Sequence, residues 1–284
     1  MQTIKSERAT QIPEAKIAAR IPRDRLYRMS KDFFDTIDRL ALGHRGRRLL
    51  HGLVHATCKK NDDWHSRHVL PLGECRVACQ VLRQRLDMKG SDNRSLAAGL
   101  EELRRSGIFN VLTFCNERQW LAWQMTDVAY ACLFTDPQYG YGYFDIQDVK
   151  VLRTVMDFRL HDRFGVIRAQ KRPETAFTID APGPNWETQR RSFVRALQRT
   201  AKLYDSGFVV LLECHGSRNG IDRIVTRMHL PHTRWGDAIV KRSAEAAQLR
   251  KVLLVDATRC HEIGRAASYD DMQLFFARKP KLIT

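Results

Sequence analysis

The segment Trp186 to Met228, WETQRRSFVRALQRTAKLYDSGFVVLLECHGSRNGIDRIVTRM, decides the fold. From Glu187 to Tyr204, Val194, Leu197, Ala201 and Tyr204 recur at three- and four-residue spacing, and Arg191, Arg195, Arg199 and Lys202 recur at the same spacing on another face. This predicts a helix with one side to bury and one cationic side. Asn185 is placed to cap its start and Ser206-Gly207 to stop it. Phe208 to Glu213 and Ile221 to Met228 are rich in β-formers and flank His215 to Gly220, turn chemistry that puts Arg218 at a hairpin tip, with Arg223 in the second strand. A helix leading into such a hairpin is the closing half of a winged helix, in which the helix enters the major groove and the hairpin follows the backbone. The competing reading is a solvated basic helix packed on a two-stranded ribbon in an unrelated α+β domain.

The same pattern occurs earlier. Arg94 to Ser106 carries Leu96, Leu100 and Leu103 at helical spacing, Gly107 ends it, and strands are predicted over Ile108 to Phe114 and Trp120 to Met125 around Asn116-Glu117-Arg118. NRSLAAGLEELRRSGIFNVLTF aligns in order and pattern with RRSFVRALQRTAKLYDSGFVVLLE, an internal pseudo-repeat. Glu101 and Glu102 are expected on the outer face of the earlier helix, where carboxylates repel phosphates. DNA reading is therefore assigned to the later unit and partner contact to the earlier one.

Outward from these units, residues 1 to 28 lack periodicity and are expected to form a basic arm. Lys31 to Cys58 predicts two helices, or one kinked helix, interrupted near Gly43 and Gly46. Pro71 opens a helix with Cys75, Cys79, Leu82 and Leu86 on its core face, and Val149 to Phe164 predicts another with Leu152, Val155, Met156 and Leu160 inward. A short strand is expected over Ala176 to Ile179, a helix over Asp237 to Lys251 and a strand over Val252 to Val255. The Gly- and Tyr-rich TDPQYGYGY suggests a boundary near residue 138. The expected class is α+β with two tandem winged-helix domains, at 29–138 and 139–235, followed by an extension over 236–284.

The 284 residues carry 48 Lys and Arg against 32 Asp and Glu, a net charge of +16 that favours a polyanionic partner. The apolar runs are too short to span a bilayer, so no membrane partner is expected. The basic start, without an apolar segment, and seven cysteines without a framework spacing suggest a cytoplasmic protein.

Other chemistry is weakly represented. His51, His55 and Cys58 would share a helical face, but the spacing is not that of a compact zinc site, and no metal or other cofactor is expected. Asp136, Asp148 and Lys150 are the residues a metal-dependent nuclease would use, yet they do not fall on a strand pair. No Gly-rich phosphate loop followed by lysine occurs, and no aromatic run suited to RNA interleaves with the charge. A non-enzymatic protein is expected.

Two helix–hairpin patterns, the second more basic, separated by YGYFDIQDVKVLRTVMDFRLHDRF, resemble the plasmid replication initiators that bind repeated origin sites. The resemblance covers roughly residues 30–230. It implies a homodimerising first unit, a second unit that inserts its helix into double-stranded DNA, host replication proteins as further partners, and repression of the protein's own promoter. Arg190, Arg191, Arg195, Arg199 and Lys202 on the helix and Arg218 on the hairpin match those roles. The chain departs from that family at TIDAPGPNWE, too short to hold the helix that precedes the recognition helix. A winged-helix repressor and the nuclease are the alternatives.

Overall fold

A computed structural model describes residues 18–60, 73–89, 93–134, 141–170, 172–178, 186–213, 221, 223–230, 238–241, 251–263 and 269–277. In chain order these form β1 (Leu26–Ser30), α1 (Lys31–Arg39), α2 (His44–Lys60), β2 (Cys75–Ala78), α3 (Cys79–Arg85), α4 (Arg94–Arg104), β3 (Phe109–Cys115), β4 (Trp120–Met125) and α5 (Asp127–Phe134). There follow β5 (Tyr141–Asp145), a 3-10 turn (Asp148–Lys150), α6 (Val155–Ile167), β6 (Glu174–Thr178), α7 (Trp186–Tyr204), β7 (Gly207–Glu213), β8 (Arg223–His229), β9 (Lys251–Val255), β10 (Cys260–Ile263) and α8 (Tyr269–Ala277). The class is mixed helix and sheet, as expected.

One arrangement occurs twice. The elements α2, β2, α4, β3 and β4 form a helix, a strand, a helix and a hairpin, with strand order β2-β4-β3; α6, β6, α7, β7 and β8 do the same with order β6-β8-β7. In both, the last strand of the hairpin sits in the middle and pairs antiparallel on each side. The first hairpin turns through Asn116, Glu117 and Arg118, all with positive φ (48°, 51° and 66°), a conformation Asn accepts more readily than the other two. Two differences separate the units. α3 stands between β2 and α4, whereas the corresponding link, 179–185, lies outside the described residues, as does the Asn185 cap. Among the described residues β3 ends its sheet, whereas β7 takes a further strand, β9, and through it β10.

Alternation along the second sheet separates two cores. Phe208, Val210, Leu212, Leu253 and Val255 join the main core with Phe164, Phe193 and Leu197 of α6 and α7. Val209, Leu211, Val225, Val252, Leu254 and Ile263 of β10 form the second cluster, with Ile239, Val240 and Met272 packed among them. Each such fully buried aliphatic side chain contributes about 1.5–3 kcal/mol, so the carboxy-terminal elements are an integral layer of the second unit.

Several expectations are corrected. Residues 1–17 and the boundary at 138 lie outside the described residues, but the arm does not extend to 28: Leu26–Ser30 is a buried strand paired with Tyr141–Asp145, on the far side of that boundary. Tyr27 and Met29 are fully buried there, and Arg25 bonds Asp145. Cys75 and Cys79 are core residues, but Cys75–Ala78 is a strand because β4 offers it a partner, and the helix begins only at Cys79. The helix predicted from Val149 is a 3-10 turn, a break, and then α6, started by a capping box in which Thr154 and Asp157 satisfy each other's backbone N–H groups. Glu102 does not face outward. Its Oε2 accepts from Gly46 N at 2.9 Å, neutralising an unpaired donor in the first turn of α2. Of the helix expected over 237–251, residues 238–241 are helical, Lys251 instead opens β9, and the remainder lies outside the described residues.

Candidate nucleic-acid interface

α7 buries Trp186, Phe193, Ala196, Leu197, Thr200 and Ala201 against the sheet. Thr188, Arg191, Ser192, Arg195 and Lys202 are exposed, and their three-, four- and seven-residue spacing places them along one stripe opposite the buried one. Arg191, Arg195 and Lys202 have no ion-pair partner among the described residues. At 1.5 Å per residue, the eleven steps from Arg191 to Lys202 span about 17 Å.

The other predicted cations divide differently. Arg190 lies four residues after Trp186 and three before Phe193, so it shares the buried stripe, and its Nη2 donates to Glu262 of β10 at 2.7 Å. Arg190 therefore fastens β10 to the helix and does not join the ridge. Arg199 has the correct spacing for the ridge, but its Nε and Nη2 both lie 2.7 Å from Asp157 Oδ1. That carboxylate is fully buried and also accepts from the backbone N–H groups of Arg153 and Thr154. Arg199 thus ties α7 to the start of α6, with its side chain 29% exposed. Arg223 sits opposite Glu213 across the β7–β8 pair and donates to it at 3.0 Å. It has the parity of Val225, whose side chain belongs to the core on the face away from α7, so it does not extend the ridge either. Arg218 lies outside the described residues, 214–220 being undescribed.

On the equivalent helix of the first unit the charge is balanced: Glu101 pairs with Arg104 at 2.7 Å, and Arg104 also donates to Leu112 O. α7 has no such acid in its exposed stripe between Thr188 and Lys202.

Some of the remaining charge is paired in the interior, which sequence spacing did not reveal. Asp38 of α1 accepts from Arg47 at 2.9 Å, Arg159 at 3.1 Å and Arg163 at 2.8 Å, joining α1 to α2 and α6. A cavity of about 490 Å³ opens beside this cluster between α1, α6, β6 and α7. The arginines that α6 contributes to its wall are already bonded, Arg163 to Asp38, Thr175 and Ala176, so they offer an entering anion little.

A second buried cluster joins the units. Tyr27 Oη lies 2.6 Å from His51 Nδ1, His51 Nε2 lies 3.2 Å from Asp162 Oδ1, and the same oxygen lies 3.2 Å from His161 Nδ1. His161 Nε2 is 3.6 Å from Asp148, and Tyr204 of α7 stacks on the His161 ring and donates to its carbonyl at 2.8 Å. Burial alone would lower the His161 pKa, but the carboxylates of Asp148 and Asp162 outweigh it and hold the ring above its ordinary value. Burial would likewise raise Asp162, yet His51 and His161 hold it well below the usual carboxylate range.

Of the residues considered for metal or nuclease chemistry, His51, His55, Cys58 and Asp148 are engaged in the interior. His51 belongs to the cluster just described. Burial drives His55 down to about 4, with Nε2 at 3.0 Å from Asp24 O, and pushes the Cys58 thiol up to about 11. Among the described residues no group of three or more His, Cys, Asp or Glu side chains is placed to hold a metal ion. Asp136 lies outside the described residues, and Asp148 faces His161.

The described geometry defines a mixed α+β protein carrying one helix with a free cationic ridge beside a hairpin. No family model matches the chain, and no curated protein is significantly similar to it in sequence. Among solved structures it is similar to one titled "Crystal structure of Pi initiator protein in complex with iteron DNA", at 10% identity and a TM-score of 0.48, over 75% of this chain and 100% of that one. Similarity at that level carries neither a fold nor a function from one chain to the other. No helix among the described residues is long and apolar enough to cross a membrane.

Proposed function

We propose that the chain is a sequence-specific double-stranded DNA-binding protein without enzymatic activity, built from two winged-helix units, with α7 as the groove-entering helix and the β7–β8 hairpin as its wing. The single observation that carries this reading is the ridge of Arg191, Arg195 and Lys202, exposed, without acidic partners among the described residues, on the helix that precedes a hairpin. The order helix, strand, helix, hairpin with the last strand central supports the winged-helix assignment for both units, and the net charge of +16 supports a polyanionic partner. The three ridge cations together would give a salt dependence of about −2.7 in log K against log salt, from roughly −0.9 for each phosphate neutralised.

Within that class the reading is a plasmid-type replication initiator that binds repeated origin sites, represses its own promoter and acts with host replication proteins, as a homodimer in its repressing form. The test is selection of bound duplexes from a random pool. Directly repeated sites support the initiator, a lone palindrome replaces it with a repressor, and the absence of any enriched sequence removes the sequence-specific reading altogether.

A further inference from the structure

The β9–β10 hairpin lies within the second sheet and, among the described residues, has no counterpart in the first, where β3 is the terminal strand. Its placement beside α7 is specific. β9 pairs antiparallel with β7, so that Val255 stands opposite Phe208 and Lys251 stands next to Leu212, one residue before the end of β7 and the turn of the wing. Strand parity then assigns a side to each residue. Leu253 and Val255 enter the core shared with α7, while Val252 and Leu254 enter the core on the opposite face. Lys251 has the parity of Leu253 and Val255, so it projects on the α7 side of the sheet, and it is exposed.

The register also locates it relative to the helix. Glu262 stands opposite Leu253 and is bonded to Arg190 of α7 at 2.7 Å. Lys251 is two residues further along β9, about 7 Å beyond that tie, towards the wing. Arg190 and Glu262 neutralise each other, so Lys251 is the charged group that the described part of this hairpin presents beside α7 without an ion-pair partner among the described residues.

The geometry points to the carboxy-terminal hairpin as a third duplex-contacting element, in which Lys251 neutralises a backbone phosphate flanking the groove that α7 enters. This rests on the DNA-binding reading above and extends it to a part of the chain for which the sequence suggested no role. A lysine on a phosphate adds affinity without choosing sequence, because the phosphate is the same in every base step.

The test is fluorescence anisotropy of the full chain with a selected duplex and a scrambled one across a salt series, comparing wild type, Lys251→Ala, Lys251→Arg and Arg195→Ala. Lys251→Ala is expected to weaken both duplexes alike, about eightfold in 0.1 M salt, and to reduce the salt slope by about one, with Lys251→Arg restoring both. Its thermal midpoint should match wild type, because the side chain is exposed. An unchanged affinity and slope for Lys251→Ala, with Arg195→Ala still weakened, overturns the role of the hairpin and leaves the DNA-binding reading standing. Absence of duplex binding by the wild-type chain overturns both.

Discussion

Arg199 Nη2 lies 2.7 Å from Asp157 Oδ1, so a residue with the spacing of a DNA contact instead joins α7 to the capping box that starts α6. Its neighbour one turn earlier, Arg195, is exposed and makes no such bond among the described residues. The two arginines are therefore expected to respond differently to the same substitution. Arg199→Ala leaves a buried carboxylate with two backbone donors and no cation, which should cost about 1–3 kcal/mol and lower the thermal midpoint. Arg195→Ala should leave the midpoint unchanged within about 0.5 kcal/mol. Calorimetry of both variants checks this; equal midpoints for the two would contradict the assignment.

Gly99 is a point of close approach between α4 and α2. A Cβ there would stand 2.8 Å from the backbone oxygen of Arg45 and 3.2 Å from Leu49 Cβ. Backbone cannot yield as a flexible side chain can, so Gly99→Ala should destabilise by about 1–3 kcal/mol despite the better helix propensity of alanine. A chemical denaturation series measures it, and a stabilised variant would show that the two helices are further apart.

The two buried histidines should shape opposite limbs of the pH–stability curve. His161 is held above its ordinary value, so its stabilisation is complete below the unfolded pKa of about 6.5 and is lost as pH rises through the folded value. His55 is depressed to about 4, so its contribution is present above about 6.5 and is lost as pH falls towards 4. Together they favour a maximum near neutrality. His161→Gln should flatten the alkaline limb and His55→Gln the limb between about 6.5 and 4, read from thermal midpoints across pH. A His161→Gln curve parallel to wild type above neutrality would exclude the proton held in that cluster.

Arg190 should act on the hairpin and not on DNA directly. The Arg190–Glu262 pair is more than a third exposed on both sides and contributes little to stability, at most about 1 kcal/mol. Glu262→Gln should therefore leave the midpoint nearly unchanged while increasing hydrogen exchange in β10, measured by mass spectrometry. Unaltered exchange in β10 would show that the strand is held by its pairing with β9 alone.

How much of this was visible in the sequence depended on whether the cause was local. α7 and its hairpin were legible because apolar spacing of three and four, β-rich runs and a glycine stop lie within forty-odd contiguous residues. β1 and β5 were not: LYRMS and YGYFD are short, and each becomes a strand only by pairing across more than a hundred residues of chain. The role of Arg190 could have been found, since its spacing from Trp186 and Phe193 is that of the buried stripe, but the run of basic residues drew it onto the ridge. The partners of Arg199, Arg223 and Glu102 could not be read from local spacing, since a helix face shows which way a side chain projects and not what the fold brings to meet it.

The ridge itself is the claim on which the rest depends, and its most direct test is the salt dependence of duplex affinity for the double variant Arg191→Ala with Arg195→Ala. Two lost phosphate neighbours should reduce the slope of log K against log salt by about two, with an unchanged thermal midpoint. A folded double variant that retains the wild-type slope and affinity would contradict it.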